Sequence, residues 1–252
     1  RERVATPRLF TPVVPSARAM IGVAFVVGVG VISALAVSVG PLYAADRYRD
    51  LREPTDAERA QIAALADPAG LELDRVAIES VDEAGSGDGA SNGGGSAAGP
   101  AEVAVRGPPR RRVLFLTADV LTDLDEDVAV GLLAAEAGRV AAYYAEFRAV
   151  AVGAVLATLA AVVTTLVPFE SGFAAVIAVG IASFWAGRRV QYAADARAAD
   201  AVGADRVADA FERVAERRGV EPETGDWSTW FEVQPPLGDR IARLRERAAD
   251  GE

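Results

Sequence analysis

Three long runs without a charged residue constrain this chain more than any other feature of its sequence. Met20 to Tyr43 contains 24 residues and Ala149 to Phe169 contains 21, while a third run extends from Phe173 to Gly187. A helix needs about 20 apolar residues to cross a hydrocarbon core, so the first two runs predict membrane spans. The third run is short, and we expect its helix to continue past Arg188. Because only Glu170-Ser171-Gly172 separates the second run from the third, they predict a membrane hairpin.

The amino-terminal part of the chain predicts a polar lead over 1–19, followed by the first span over 20–43. A cleaved signal peptide is the alternative for that span, but its apolar region would have only about 7–15 residues. The sequence begins with Arg rather than Met, as a fragment or a processed form would.

The missing residue types restrict the chemistry. The chain has no Cys and no His, and each of its 26 basic residues is Arg. This composition excludes disulfides, thiolate metal sites and imidazole metal ligands. The net charge of −10 argues against a nucleic-acid partner, which needs a basic surface. An acidic chain without lysine also resembles the proteins of salt-loving archaea.

The charged segments predict a domain outside the membrane. Arg47 to Ala66 has a helical pattern with Thr55 or Asp56 as its cap, and Leu71 to Val81 alternates partly like a strand. Residues 83–100 are mostly small and polar, which predicts a flexible loop. Glu102 to Arg106 and Arg111 to Thr117 predict a β-hairpin. The carboxyl-terminal part predicts a helix from Leu237 to Ala249 and an aromatic cluster of Trp227, Trp230 and Phe231.

Asp125 to Arg148 predicts one helix that Asp125 caps and that contains Leu133-Ala134-Ala135-Glu136-Ala137-Gly138-Arg139-Val140. An H-E-x-x-H zinc peptidase requires two His one turn apart and a Glu beside the first. Those three places hold Ala135, Arg139 and Glu136. An ordinary amphipathic helix is the alternative interpretation of this segment.

The segment nevertheless resembles the L-A-H-E-L-G-H-V motif of the HtpX-like membrane zinc metallopeptidases, which are of the gluzincin type. Three further stretches fall in the family's order. Val113 to Asp127 is similar to the lead-in V-x-x-T-x-x-L-L-x-x-L-D-x-x-E, and Arg188 to Asp195 is similar to R-x-x-E-x-x-A-D. Val233 to Leu244 is similar to T-H-P-P-x-x-x-R-I-x-x-L. The resemblance covers about 71–244 and implies common ancestry.

The resemblance assigns roles to seven residues. Glu136 occupies the general-base position as a vestige, and the three zinc-ligand positions hold Ala135, Arg139 and Gln191. The residues that would support those ligands correspond to Asp195, Gln234 and Arg240. We expect no metal and no cofactor, because zinc is expected of the family but its ligands are absent here. As a hypothesis, Arg139 pairs with Glu136 or with Asp195 in place of the ion.

The resemblance also implies a fold. We expect an α+β membrane protein with a mainly helical gluzincin-like domain, a small β-sheet and about three transmembrane helices. The peptidase-like domain would comprise 44–148 and 188–252, separated by the membrane hairpin 149–187. Strand Glu102 to Gly107 would, by resemblance, be the edge that pairs with a substrate backbone. Arginines flank the hairpin while its loop has none, so we expect a multi-pass cell-membrane protein with a cytoplasmic soluble domain.

These features predict an inactive pseudopeptidase with a binding or regulatory role in membrane protein quality control. Its partners would be the lipid bilayer and membrane proteins or an active paralogue. The first alternative is an active metalloendopeptidase with an atypical site built on Glu136, Gln191 and Asp195. The second alternative is a purely structural membrane protein.

Overall fold

The computed structural model describes residues 17–48, 51–72, 74–79, 103–218 and 235–251. The flexible-loop prediction for 83–100, the aromatic cluster and Gln234 all lie outside these ranges. The helices within them are α1 (Ala17–Tyr48), α2 (Asp56–Ala66), α3 (Asp119–Thr122), α4 (Glu126–Ala141), α5 (Tyr144–Val163), α6 (Phe169–Val202), α7 (Ala204–Arg218) and α8 (Leu237–Asp250). The strands are β1 (Leu51–Arg52), β2 (Arg75–Glu79), β3 (Val103–Arg106) and β4 (Val113–Thr117).

Three of the described helices are long and apolar enough to cross a membrane. The candidate spans are Ala17–Tyr43 in α1, Tyr144–Val163 in α5 and Phe169–Val202 in α6. Helices α1 and α5 approach closely where glycines meet, because a Cβ on Gly153 would lie 2.7 Å from the carbonyl oxygen of Gly30. Small residues at such a crossing let two membrane helices pack backbone against backbone.

The strands form one mixed sheet in the order β1-β2-β4-β3. Strand β2 pairs with β4 in parallel, whereas β3 pairs with β4 as the antiparallel hairpin that the sequence predicts. Buried Ile78, Leu114 and Leu116 place the inner face of the sheet against the helices. Strand β3 is therefore an edge of the sheet among the described strands.

Helix α4 lies at the centre of the soluble part and packs against α2, α6 and α7. Two glycines permit this packing. A Cβ on Gly131 would lie 2.7 Å from the Cβ of Ala210 on α7, and a Cβ on Gly138 would overlap the carbonyl oxygen of Ala194 on α6. Glycine at these positions therefore brings the backbone of α4 directly against α6 and α7.

The helix ends differ in part from the expectations. Thr55 caps α2 through a capping box with Glu58, but the Asp125 side chain makes no capping hydrogen bond to α4. Asp125 to Arg148 is also two helices rather than one, because Tyr143 adopts a left-handed conformation with φ of 54°. The chain bends there and enters α5. Helix α6, by contrast, continues without a break past Arg188, as expected, and ends at Gly203.

The expected fold class is confirmed. The described part of the chain is mainly helical, contains a small mixed sheet and has three candidate membrane helices. The division into a lead, three spans and a two-part soluble domain stays a prediction.

Candidate functional site between strand β3 and helices α4, α6 and α8

Glu136 lies on α4 opposite the edge strand, and both of its carboxylate oxygens are engaged. Oε1 accepts a short hydrogen bond from Nη1 of Arg139, one turn further along the helix. Oε2 accepts a hydrogen bond of 3.2 Å from the backbone N–H of Val105 on β3. The Glu136 side chain is only 8% exposed, so this carboxylate is a buried link between α4 and the sheet.

Arg139 is held in the site as a cation. The Glu136 carboxylate beside it raises the pKa of its guanidinium, burial opposes that effect, and the charge of Asp195 contributes less. The Arg139 Nε atom is buried and has no hydrogen-bond partner among the described residues.

Ala135 contributes no polar atom to the site. It lies on α4 one turn before Arg139, is only 3% exposed and belongs to the hydrophobic core. Its methyl group offers neither a donor nor an acceptor, so nothing at this position can bind an ion.

Helices α6 and α8 contribute a second buried polar group. Asp195 accepts two hydrogen bonds from Arg240, from Nε at 2.8 Å and from Nη2 at 2.7 Å, and both side chains are 6% exposed. Gln191 Nε2 donates to Asp195 Oδ1 at 3.1 Å. The Arg240 guanidinium also lies 4.3 Å from the ring centroid of Phe211 on α7. A bidentate ion pair of this kind fixes α8 on α6 in one orientation.

Gln191 is fully buried, yet its Oε1 has no hydrogen-bond partner among the described residues. Among the described residues, Arg139 Nε is thus one unpartnered donor, and Gln191 Oε1 and Glu146 Oε2 are two unpartnered acceptors. A cation would satisfy only the acceptors, whereas a water molecule or a polar ligand group can both accept and donate.

A cavity of about 270 Å³ opens beside Glu136 and Arg139. Its walls come from α1, β3 with the following turn, α4 and α5, and they include Pro41, Val105, Pro108, Arg112, Val140 and Tyr144. The cavity therefore lies where the soluble part meets the first two candidate spans. Arg112 and Glu146 form an ion pair of 2.7 Å in its wall.

Sequence reasoning missed several of these residues. No sequence motif marks these residues, because their roles depend on contacts between distant segments. They are Val105 through its N–H, Phe211 through its ring, and the pair of Arg112 and Glu146. Arg112 precedes β4 and Glu146 follows the bend at Tyr143, so their pairing could be predicted only once the fold was known.

The structure places the predicted site residues that it describes, which exclude Gln234, in two groups. Glu136 and Arg139 form one pair, and Gln191, Asp195 and Arg240 form a second group. Of the two partners considered for Arg139, Glu136 forms the ion pair, while Asp195 binds Arg240. Ala135 lies beside them in the core.

These side chains do not fit a zinc ion. A zinc site in a peptidase needs three protein donors around one position. Ala135 has no donor, Arg139 brings a positive charge that is already paired with Glu136, and Gln191 offers one neutral amide oxygen. Within the described ranges, no three acidic, histidine or cysteine side chains form a group that could hold a metal.

Comparison with known proteins supports the fold. No protein-family model matches the sequence. No curated protein matches it either. Among solved structures, the chain is similar to the crystal structure of S. mikatae Ste24p, with a TM-score of 0.61 and 15% identity over 88% of this chain. The chain spans 57% of the length of that protein. At this level of identity the likeness shows a shared fold, and it does not single out the HtpX-like family.

Proposed function

We propose that this chain is a membrane-anchored pseudopeptidase that binds extended polypeptide segments beside β3 and does not hydrolyse them. In this proposal it is a degenerate relative of the HtpX-like zinc metallopeptidases and acts as a binding or regulatory module in membrane protein quality control. Its partners would be unfolded segments of membrane proteins, or an active paralogue, at the cytoplasmic membrane surface.

The observation that carries the proposal is the pair of hydrogen bonds that Glu136 accepts. In a zinc peptidase this residue takes a proton from a water molecule that the metal has activated. Here its two oxygens are occupied by Arg139 and by the N–H of Val105. Each oxygen thus already holds a structural contact, which leaves this carboxylate poorly placed to act as a base. The substituted ligand positions point the same way.

The binding part of the proposal rests on the edge strand. Backbone N–H groups along a strand point alternately to either side, and that of Val105 points away from β4 towards Glu136. The N–H of Val103 therefore points outward as well. An extended segment can add to such an edge by main-chain hydrogen bonds, which depend little on its side chains. Weak side-chain dependence suits a module that handles many sequences.

A binding and cleavage assay on the full chain in detergent tests this proposal. The probe is fluorescent reduced casein, an unfolded polypeptide, with anisotropy to measure binding and gel electrophoresis to measure cleavage. We expect saturable binding and no cleavage, with or without added zinc. Cleavage that a chelator stops would support the active-peptidase alternative, whereas absence of binding would support the purely structural one.

A matched pair of variants at one position locates the binding surface. V103P removes the outward N–H at the first residue of β3, where proline is tolerated, and should weaken binding by roughly tenfold. V103A keeps that N–H and should change binding by less than about twofold. Equal binding by both variants would exclude strand addition at β3.

A further inference from the structure

We infer that the groove between α6 and α8, lined by Arg188, Arg189, Arg243 and Arg247, binds the phosphate headgroup of an anionic phospholipid in the surrounding membrane. This arginine groove has a volume of about 640 Å³, and its other walls are Trp185, Tyr192, Ala193 and Ala196. It is separate from the cavity beside Glu136, and the inference does not depend on the proposed function.

The position of the groove along α6 places it at the membrane boundary. The helix has 34 residues, which gives a length of about 51 Å at 1.5 Å per residue. A hydrocarbon core is about 30 Å thick, and Phe169 to Arg188 spans about 29 Å along the helix axis. Arg188 and Arg189 therefore lie where the hydrocarbon ends and lipid headgroups begin. Trp185, 61% exposed one turn earlier, is the kind of aromatic residue that concentrates at this level.

The four arginines lie on two helix faces that pack side by side. Trp185, Arg188, Arg189 and Tyr192 recur at helical spacing, so they share one face of α6. Arg243 and Arg247 are four residues apart and share one face of α8. The buried pair of Asp195 and Arg240 holds these two helices together immediately beneath the groove. The relative positions of the two helix faces that carry the four arginines are thus fixed by the core.

Two of the four arginines have an acidic partner, and three lie over an aromatic ring, Arg188 over that of Phe184 at 5.3 Å. Arg247 pairs with Asp200 at 2.5 Å, and Arg188 lies 3.7 Å from Asp239. The Arg189 guanidinium lies 4.9 Å from the Trp185 ring centroid, and that of Arg243 lies 4.5 Å from the Tyr192 centroid. Among the described residues, neither Arg189 nor Arg243 forms an ion pair. Stacking on a ring orients a guanidinium while its N–H groups stay available to an anion.

The charge of the groove is opposite to that of the whole protein. Among the residues that the structure describes, no acidic one lines the groove, although the chain as a whole carries −10. Guanidinium groups match phosphate oxygens through paired N–H donors, so phosphate is the ligand class that this chemistry favours. Basic pockets beside membrane helices at headgroup depth are where anionic lipids bind. A lipid also supplies acyl chains for the apolar surface of α6 below the groove, where Ile181 and Trp185 are exposed.

The test uses the purified full chain in a neutral detergent, titrated with phosphatidylglycerol that carries a fluorescent acyl chain. We expect saturable binding that unlabelled phosphatidylglycerol displaces and that phosphatidylcholine does not. R189Q/R243Q should weaken binding by roughly tenfold or more, because each basic residue near a headgroup contributes separately. Binding of phosphatidylcholine with equal affinity would overturn the inference.

A matched control removes two arginines elsewhere. R59Q/R197Q also lowers the charge by two, at exposed positions outside the groove, and should bind within about twofold of the unmodified chain. Equal losses in the two double variants would mean that only the net charge matters, which would contradict a specific site. If the double variant does not fold, the single variants R189Q and R243Q replace it in this comparison. Each should lower the affinity for phosphatidylglycerol by a few-fold.

An arm with inorganic phosphate and glycerol phosphate distinguishes lipid from free phosphate. If the lipid is the ligand, millimolar concentrations of either anion should displace little of it, because they lack the acyl chains. Complete displacement by inorganic phosphate would assign the groove to a soluble phosphate compound and overturn the lipid assignment.

Discussion

Single side chains explain why the site keeps its shape without metal ligands. Asp195 and Arg240 form a bidentate pair that joins α6 to α8, and Glu136 joins α4 to β3 and to Arg139. In the HtpX-like proteins that the sequence resembles, residues at such positions support zinc ligands. Here the same contacts hold helices together. Their structural value gives a reason for their presence that is independent of any catalytic role.

The buried pair allows a stability prediction. D195N leaves the Arg240 guanidinium buried beside a neutral group, and the loss of one partner of a buried ion pair costs about 3–5 kcal/mol. We expect the Tm in detergent to fall by roughly 10 °C. E216Q makes the same chemical change in the exposed pair with Arg213 and should cost less than about 1 kcal/mol. Similar Tm values for the two variants would show that the Asp195 pair contributes little.

The sequence predicted the members of the site better than their contacts. The resemblance to the motifs of the HtpX-like family identified Glu136, Arg139, Gln191, Asp195 and Arg240. It left the partner of Arg139 open, since both carboxylates were within plausible reach. In the structure Arg139 pairs with Glu136, because Asp195 is already paired with Arg240. Such competition between distant segments cannot be read from a linear pattern.

At the scale of elements, the close approach of α4 to α6 positions the site. Gly138 permits it, because any side chain there would meet the backbone of Ala194. The sequence indicated both helices and the hairpin of β3 and β4. It did not indicate β1, which has only two residues, or the parallel pairing of β2 with β4, which depends on tertiary packing. It also missed the bend at Tyr143, where a left-handed conformation interrupts a sequence of good helix formers.

The helix contact can be tested with a pair of glycine variants. G138A should destabilise the protein by about 1–3 kcal/mol, because the added methyl group overpacks the contact between α4 and α6. G180A adds a methyl group to α6 where nothing lies within 4 Å, and it should be neutral or slightly stabilising. Thermal unfolding monitored by circular dichroism measures both. A neutral G138A would mean that the two helices can separate without cost.

At the scale of the whole molecule, each of the two cavities lies where a candidate span meets charged residues. The cavity beside Glu136 lies between α1, α5 and β3, and the arginine groove lies where α6 leaves the apolar region. We therefore expect both openings to face the boundary between membrane and water. A polypeptide emerging from the membrane could reach the first, and a lipid headgroup could reach the second.

The orientation of the chain gives a third prediction. The chain has no cysteine, so a single introduced thiol reports its own location. S171C lies at the start of α6 beside the hairpin turn, and A242C lies on the exposed face of α8. A membrane-impermeant maleimide should label S171C on intact cells and A242C only after permeabilisation, because arginine-rich flanks stay in the cytoplasm. Labelling of both thiols on intact cells would contradict this orientation.

Metal analysis tests the central claim, that the site holds no catalytic zinc, most directly. The purified full chain would be incubated with zinc and freed of unbound metal, and its zinc content would be measured by inductively coupled plasma mass spectrometry. The substitutions at Ala135, Arg139 and Gln191 predict a zinc content far below about one ion per chain. A135H/R139H/Q191E, which restores the three ligand types, should take up about one ion per chain and serves as the positive control. A content of about one zinc ion per unmodified chain would contradict the account.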